Sequence, residues 1–425
     1  MASFVQDILE SASGFTLFAD EYGYITQNGS IVVTGNAILS GAAEDEVDII
    51  NNGSVFGSFV AISLGGQGNY IANNGTLQGQ TIAISLAESG VDRLTPDVIY
   101  NTGVIEGMGP NADGILSQMG GVKIINSGSI LTSGDDAIQI GSSQSNGVQT
   151  NEIINSGVIA TAGDGFALEL QSIGNLNLIT NTGEIHGDIR LGNLDDVLQG
   201  STGFINGTII AGSGDDLIKS GTGDDIIIGG AGRDKMYGGA GNDTASYQGS
   251  AGVWVSLTSQ RGRGSDATGD WLFDIENLIG SGNDDTLIGD AVSNILEGGN
   301  GGDTLIGGDG DDILNGGLDR DILWGGDGVD IFEFLDVAES GIGSNRDVIK
   351  DFEQGVDLID LSAMGATSFS DSGFTNTAGE VTFKLIGGGT KTVVEYDHDG
   401  DGLADFQILM TNGGLTMTAD DFVLG

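Results

Sequence analysis

From Ala211 onward the sequence acquires a period of nine residues, and that period restricts the fold more than any other feature of the chain. Four units run without a gap over residues 211–246: "AGSGDDLIK", "SGTGDDIII", "GGAGRDKMY" and "GGAGNDTAS". Six more occupy residues 280–333: "GSGNDDTLI", "GDAVSNILE", "GGNGGDTLI", "GGDGDDILN", "GGLDRDILW" and "GGDGVDIFE". Position six is Asp216, Asp225, Asp234 and Asp243 in the first block, then Asp285, Asn294, Asp303, Asp312, Asp321 and Asp330 in the second. Position eight is apolar throughout the second block. Each unit is too short for a helix and reads as six residues of glycine-rich loop followed by three of strand. Two units make one coil, so the acid at position six stacks on the acid two units later, and the eighth position fills the interior.

Carboxylates stacked about 5 Å apart repel by about 3 kcal/mol at an effective dielectric near 20. A coil of this kind needs a cation between successive loops. Ca²⁺ accepts six to eight oxygens from carboxylates and carbonyls in flexible geometry, whereas Mg²⁺ holds its waters and demands near-ideal octahedra. Glycine lets carbonyls turn inward at φ values that other residues avoid. The ten position-six residues are therefore candidate Ca²⁺ ligands.

Composition agrees. The 61 acidic residues against 13 basic ones give a formal charge of −48, which argues against nucleic acid and against anionic membranes as partners. Residues 1–190 carry 20 acids and 3 bases, so 41 acids and 10 bases fall in residues 191–425, where the nonapeptides lie. With 39% hydrophobic residues the chain can line a core despite 77 glycines. It has no cysteine and no apolar run of membrane-spanning length, and its start, "MASFVQDILESASGF", lacks the features of a conventional secretory signal.

The N-terminal half repeats differently. The phrase Asn-(Asn/Ser/Thr)-Gly-x-(Ile/Val/Leu) recurs as "NNGSV" at 51, "NNGTL" at 73, "NTGVI" at 101, "NSGSI" at 126, "NSGVI" at 155 and "NTGEI" at 181, with looser copies "QNGSI" at 27 and "INGTI" at 205. A second alternating run follows in each unit, as at Ala61 to Leu64 or Ala137 to Ile140. Asn-Gly steps supply turns tolerant of positive φ. One unit cannot bury its own apolar face, but stacked coils share a core, with Asn above Asn. Phe4, Val5, Ile8 and Leu9 are expected to cap the stack as a short amphipathic helix or to mediate assembly. Asp135, Asp136 and Asp164 read as solvated loop acids.

Ten near-contiguous copies of G-G-x-G-x-D-x-U-x resemble the RTX (repeats-in-toxin) family, whose repeats form Ca²⁺-binding β-rolls. The bridge "SYQGSAGVWVSL…GDWLFDIENLIGS" at 246–281 is similar to the family's linker between roll blocks, and "DVIKDFEQGVDLIDLS" from Asp347 to Ser362 to the C-terminal module of serralysin-type proteases. That resemblance implies an uncleaved type I secretion signal at the extreme end. Asp420, Asp421, Phe422, Val423 and Leu424 fit its acidic-then-apolar pattern, with Gly425 added. The N-S-G-x-I units resemble the right-handed parallel β-helix of autotransporter-type adhesins. The loop "DHDGDGLAD" sets Asp397, Asp399, Asp401 and Asp405 at Ca²⁺-loop spacing but has Ile408 where a closing Glu would stand. No H-E-x-x-H and no G-x-S-x-G occurs.

The expected fold is all-β, a right-handed parallel β-helix continuing into Ca²⁺-binding β-rolls and a small C-terminal β module. The expected segments are a cap (1–24), a β-helix of about eight coils (25–210), a first roll (211–246), a linker (247–279), a second roll (280–333) and a serralysin-like module (334–425). The expected function is that of a secreted, extracellular or surface-associated Ca²⁺-binding structural or adhesive protein. Its partners would be the type I secretion machinery and either further copies of itself or cell-surface polysaccharide. The alternative is a polysaccharide lyase or epimerase, for which residues 1–210 offer only Arg93, Lys123, Arg190 and His186 as basic groups.

Overall fold

In the computed structural model the Asn-x-Gly phrase marks one corner of a three-sided coil. The structure describes residues 2–6, 9–11, 15–17, 22–26, 30–33, 37–40, 46–87, 95–118, 120–141, 148–172, 174–200 and 202–425. The chain divides into two units, Met1–Gly241 and Asn242–Gly425.

A coil of the first unit holds three short strands. Asp48–Asn51 ends at the asparagine, Ser54–Gly57 follows the turn, and Val60–Leu64 makes the third side. Each pairs in parallel with its counterpart in the next coil, Ile49 with Ile71, Val55 with Leu77 and Ile62 with Ile84. Strands alternate their side chains, so one residue in two points inward, and the stacks are aliphatic: Ile49, Ile71, Ile99, Ile124, Ile153 and Ile179 on one side are all at most 1% exposed. Burying each such side chain contributes about 1.5–3 kcal/mol. The strand before the asparagine escapes the sequence reading, which expected two runs per repeat. It is masked because its last residue serves as the turn.

That asparagine is held in a buried ladder. The Nδ2 of Asn51 donates to Oδ1 of Asn73 at 2.7 Å, and the Asn73–Asn101, Asn101–Asn126, Asn126–Asn155 and Asn155–Asn181 links are each 2.8 Å. The same amides reach carbonyls across the turn, as Asn126 does to Val158 at 3.0 Å. The Nδ2 groups of these amides are thereby used, as buried donors should be. The ladder stops at Asn181, because the copy at 205 belongs to another corner. Glu184 pairs with Phe204 and Ile189 with Ile209, so Gly203 rather than Gly207 stands in register after Gly183. In the copy at 27, residues 27–29 lie outside the described residues.

The coil then narrows. Asn155 lies 29 residues after its partner Asn126, Leu217 lies 20 after Val197, and Lys235 lies 18 after Leu217. Leu217–Thr222 pairs through Leu217 with Val197 and through Thr222 with Phe204, so one strand takes the place of two and three sides become two. At the other end the described residues among 4–9 are strand rather than the expected helix. Ala2–Gln6 and Leu9–Ser11 are strands paired in parallel with Tyr22–Ile25 and Ser30–Val33, and Ile8 lies outside the described residues.

In the second unit, Ile295–Asn300, Thr304–Asp309, Ile313–Leu318 and Ile322–Asp327 form a two-sided roll in which Leu296 stacks on Leu314 and Leu305 on Leu323, 18 residues apart. The strands run six residues and the turns only three, unlike the expected six-residue loop. Position-two glycines at φ 107 (Gly299) and 126 (Gly308) stay in the ladder, Gly299 opposite Gly317 and Gly308 opposite Gly326, so strand pairing continues through the glycines. Both ladders run on into the C-terminal module: Ile322 pairs with Val348, Ile331 with Leu358, and Ile359 in turn with Phe422. An antiparallel sheet, Glu380–Ile386, Lys391–Asp397 and Phe406–Met410, closes the unit over buried Phe332, Phe334, Phe352, Tyr396 and Phe406. Among the described residues no helix is long and apolar enough to cross a membrane.

Candidate metal centre

Position six directs its carboxylate back into the turn, and the roll stitches these acids into two ladders. On one, the N–H of Asp285 donates to Oδ1 of Asp303, that of Asp303 to Asp321, and that of Asp321 to Asp347, each at 2.8 Å. On the other, Asn294 donates to Asp312 at 2.8 Å, Asp312 to Asp330 at 3.0 Å and Asp330 to Asp357 at 3.1 Å. One oxygen of each acid is thus spent on the coil before it. The second oxygens of Asp303, Asp312, Asp321, Asp330 and Asp347 are buried and have no partner within the chain.

Position-one glycine explains where those oxygens point. A methyl group on Gly307 would lie 2.2 Å from Oδ2 of Asp312 and 2.5 Å from the carbonyl of Gly325, one coil on. On Gly298 it would lie 2.3 Å from Oδ2 of Asp303 and 2.5 Å from the Gly316 carbonyl. A carboxylate oxygen and a carbonyl oxygen therefore converge on a space that only glycine leaves open. Buried, unpartnered, all-oxygen donor sets of this kind fit a hard divalent cation, Ca²⁺ before Mg²⁺.

The electrostatics agree. With no cation between coils, burial pushes the carboxyls far above the usual range, to about 6 for Asp312, 7 for Asp303, Asp330 and Asp347, and 9 for Asp321, where the Asp347 charge adds to the effect. Burial is the largest cause in each case.

Not every candidate is alike. Asp285 has both oxygens engaged, Oδ2 by the Ser281 N–H at 2.6 Å and Oδ1 by the Val253 N–H at 2.6 Å. Asn294 is likewise spent, accepting from the Asp290 N–H at 2.8 Å and donating to the Glu276 carbonyl at 2.7 Å. In the first unit Asp216 accepts from the Asp196 N–H at 2.7 Å and donates its own to Asp234 at 2.9 Å, while Asp225 is buried. Asp243, in the second unit, is buried and its N–H donates to Glu276 at 2.8 Å. Asp397, Asp399 and Asp405 bring carboxylate oxygens within 4.8 Å of one another, but Asp401 stays outside the group and accepts from the Leu403 N–H.

Three further acids of these ladders escaped the sequence reading; Asp196 and Asp347 keep a buried Oδ2 without a partner, whereas Asp357 accepts the Glu353 N–H on its Oδ2 at 2.7 Å. Asp196, sixth in the degenerate unit "LGNLDDVLQ", is buried, pushed by that burial to about 7, and has an unpartnered Oδ2. It follows Asn177 in a second polar ladder, accepting from the Asn177 N–H at 2.7 Å. The unit is legible in the sequence as a degenerate nonapeptide, but its position four is Leu194, held at φ 78, rather than glycine, and its acid falls outside the ten candidate ligands. Asp347 and Asp357 sit 26 and 27 residues beyond their partners rather than 18, and only the pairing reveals them. Asp136, expected in solvent, is instead buried, accepting from the Phe166 N–H at 2.7 Å and from Gln139 at 2.9 Å.

Residues 273–424 match the model of the family described as Peptidase M10 serralysin C terminal, and residues 210–245 that of the RTX calcium-binding nonapeptide repeat. No curated protein matches. Among solved structures, the AlgE6R3 subunit of the Azotobacter vinelandii mannuronan C5-epimerase is 33% identical over 34% of this chain and 79% of its own, with a TM-score of 0.29. The AlgE6R2 subunit of the same enzyme is 28% identical over 35% of this chain and 91% of its own, with a TM-score of 0.27.

Proposed function

The chain belongs to the RTX calcium-binding proteins and carries a serralysin-type C-terminal module of the kind that directs type I secretion, and on that premise we propose that it is a structural or adhesive protein whose rolls fold only where Ca²⁺ is abundant. The observation that carries this is the file of buried, unpartnered Oδ2 atoms at Asp303, Asp312, Asp321, Asp330 and Asp347, aimed at glycine-lined space. Bound Ca²⁺ supplies positive charge and further coordination between coils. In the reading proposed here Asp216, Asp225, Asp234, Asp243, Asp303, Asp312, Asp321 and Asp330 hold it, joined by Asp196 and Asp347, while Asp285 and Asn294 at the start of the second block and Asp357 beyond its end serve as hydrogen-bonding links. Without the ion these residues repel one another and carry desolvated charge, so the rolls stay open and the chain can thread a secretion channel. Outside the cell, affinities on the order of 10⁻⁴ to 10⁻³ M suffice.

A non-enzymatic role suits the first unit. A cleft of about 270 Å³ is lined by Pro110, Asn111, Asp135, Asp164 and intervening glycines, with no cation to neutralise a uronate carboxylate. Arg190 is engaged by Glu169 at 3.3 Å and lies over Phe166. The decisive experiment is circular dichroism of the full chain titrated with Ca²⁺. A cooperative gain of β signal reversed by chelator is expected, and a native spectrum indifferent to chelator overturns the reading.

A further inference from the structure

The segment between the roll blocks carries the second inference. Trp254–Ser256 and Arg261–Arg263 pair antiparallel, Trp254 opposite Arg263, and Arg261 pairs with Trp271 of the strand Trp271–Phe273. Alternation divides the three strands, with Ser256, buried opposite Arg261, as the exception. Val255, Gly262 and Leu272 are buried, whereas Trp254, Arg261, Arg263, Trp271 and Phe273 are half-buried or exposed on the opposite face. There the Arg261 guanidinium lies over the Trp271 ring, the Arg263 guanidinium sits 4.9 Å from the centre of Trp254, and Trp271 and Phe273 stack with planes 12° apart.

In a chain of charge −48 with 13 basic residues, two arginines on one aromatic surface call for a reason. Acids do not supply it. Among the described residues neither guanidinium makes an ion pair or hydrogen bond within the chain, although Asp266 and Asp274 are on the same segment. A ring beside each guanidinium restrains it by cation–π attraction and leaves N–H groups unspent and suited to bidentate capture of a carboxylate. The indole and phenyl surfaces beside it offer planes to the C–H face of a sugar ring.

We propose that this face binds a linear anionic polysaccharide of the uronate class, carboxylates meeting Arg261 and Arg263 and sugar rings meeting Trp254, Trp271 and Phe273. Nucleic acid is disfavoured by comparison, because its phosphates place one charge per about 1.7 Å of duplex, so a strongly acidic chain repels it more than a polymer with one carboxylate per sugar ring. A neutral glycan would leave the guanidinium edges unanswered. The inference names the partner of the adhesive role proposed above and rests on that reading, yet its failure would leave Ca²⁺-coupled folding standing, since the test starts from protein whose Ca²⁺ response has already been recorded.

The test uses the full Ca²⁺-loaded chain carrying Trp324→Phe, so that emission comes from Trp254 and Trp271 alone. Oligogalacturonate too short to gel with Ca²⁺ should change the fluorescence saturably, and neutral malto-oligosaccharide of equal length should not. The double variant R261Q/R263Q should bind the uronate at least about tenfold more weakly while keeping its Ca²⁺-induced dichroism. Absence of a saturable change, an equal response to the neutral oligomer, or unchanged affinity in the double variant each overturns the proposal. The comparison of the two oligomers needs no arginine variant, so it stands even if R261Q/R263Q fails to fold.

Discussion

At the scale of the residue, the three aspartates of "GGDGDDILN" do different work. Asp312 is buried, gives its N–H to Asp330 and keeps one oxygen unpartnered, whereas Asp309 and Asp311 are exposed, and Asp311 accepts from the Val329 N–H at 2.9 Å. The glycines differ as well. Gly308 and Gly310 hold φ of 126 and 112, which other residues resist, while Gly307 is required for space. A methyl at Gly307 would fill the point on which the Asp312 carboxylate and the Gly325 carbonyl converge. Gly307→Ala is therefore expected to move the midpoint of Ca²⁺-induced folding to at least about tenfold higher Ca²⁺, read by circular dichroism. An unchanged midpoint would show that this space holds no ligand.

At the scale of the element, the acids of the ladders all shift in the same direction. The folded, cation-free values of about 7 to 9 for Asp216, Asp303, Asp321, Asp330 and Asp347 lie above the unfolded value of 3.8, so the folded roll binds more protons than the unfolded chain. Without Ca²⁺ its stability is therefore greatest below about pH 4 and is lost as pH rises through 7 to 9. In chelator, acidification from pH 8 to pH 4 should restore β signal to the rolls, and with Ca²⁺ the pH dependence should flatten because the ion replaces the proton. Chelated protein whose spectrum does not change across that range would contradict this.

At the scale of the whole molecule, stacked coils with buried polar ladders, present in each unit, offer regular faces. Electron microscopy of the purified protein is expected to show ordered polymers with Ca²⁺ and none with chelator, and dispersed particles in both conditions would remove self-assembly from the proposed function. Legibility in the sequence follows how local each interaction is. The nine-residue period yielded the roll, its 18-residue register and the inward position-eight leucines such as Leu314, because strand alternation and turn chemistry act within a few residues. The charge pointed to cations. The third side of the β-helix coil, the false copy at Asn206, the narrowing from three sides to two, and the closure of the acid ladders by Asp347 and Asp357 came only from tertiary pairing. Spacings of 26 and 27 carry no period, and which carboxylate meets which N–H depends on how much chain the intervening segment takes up before the strands come back into register.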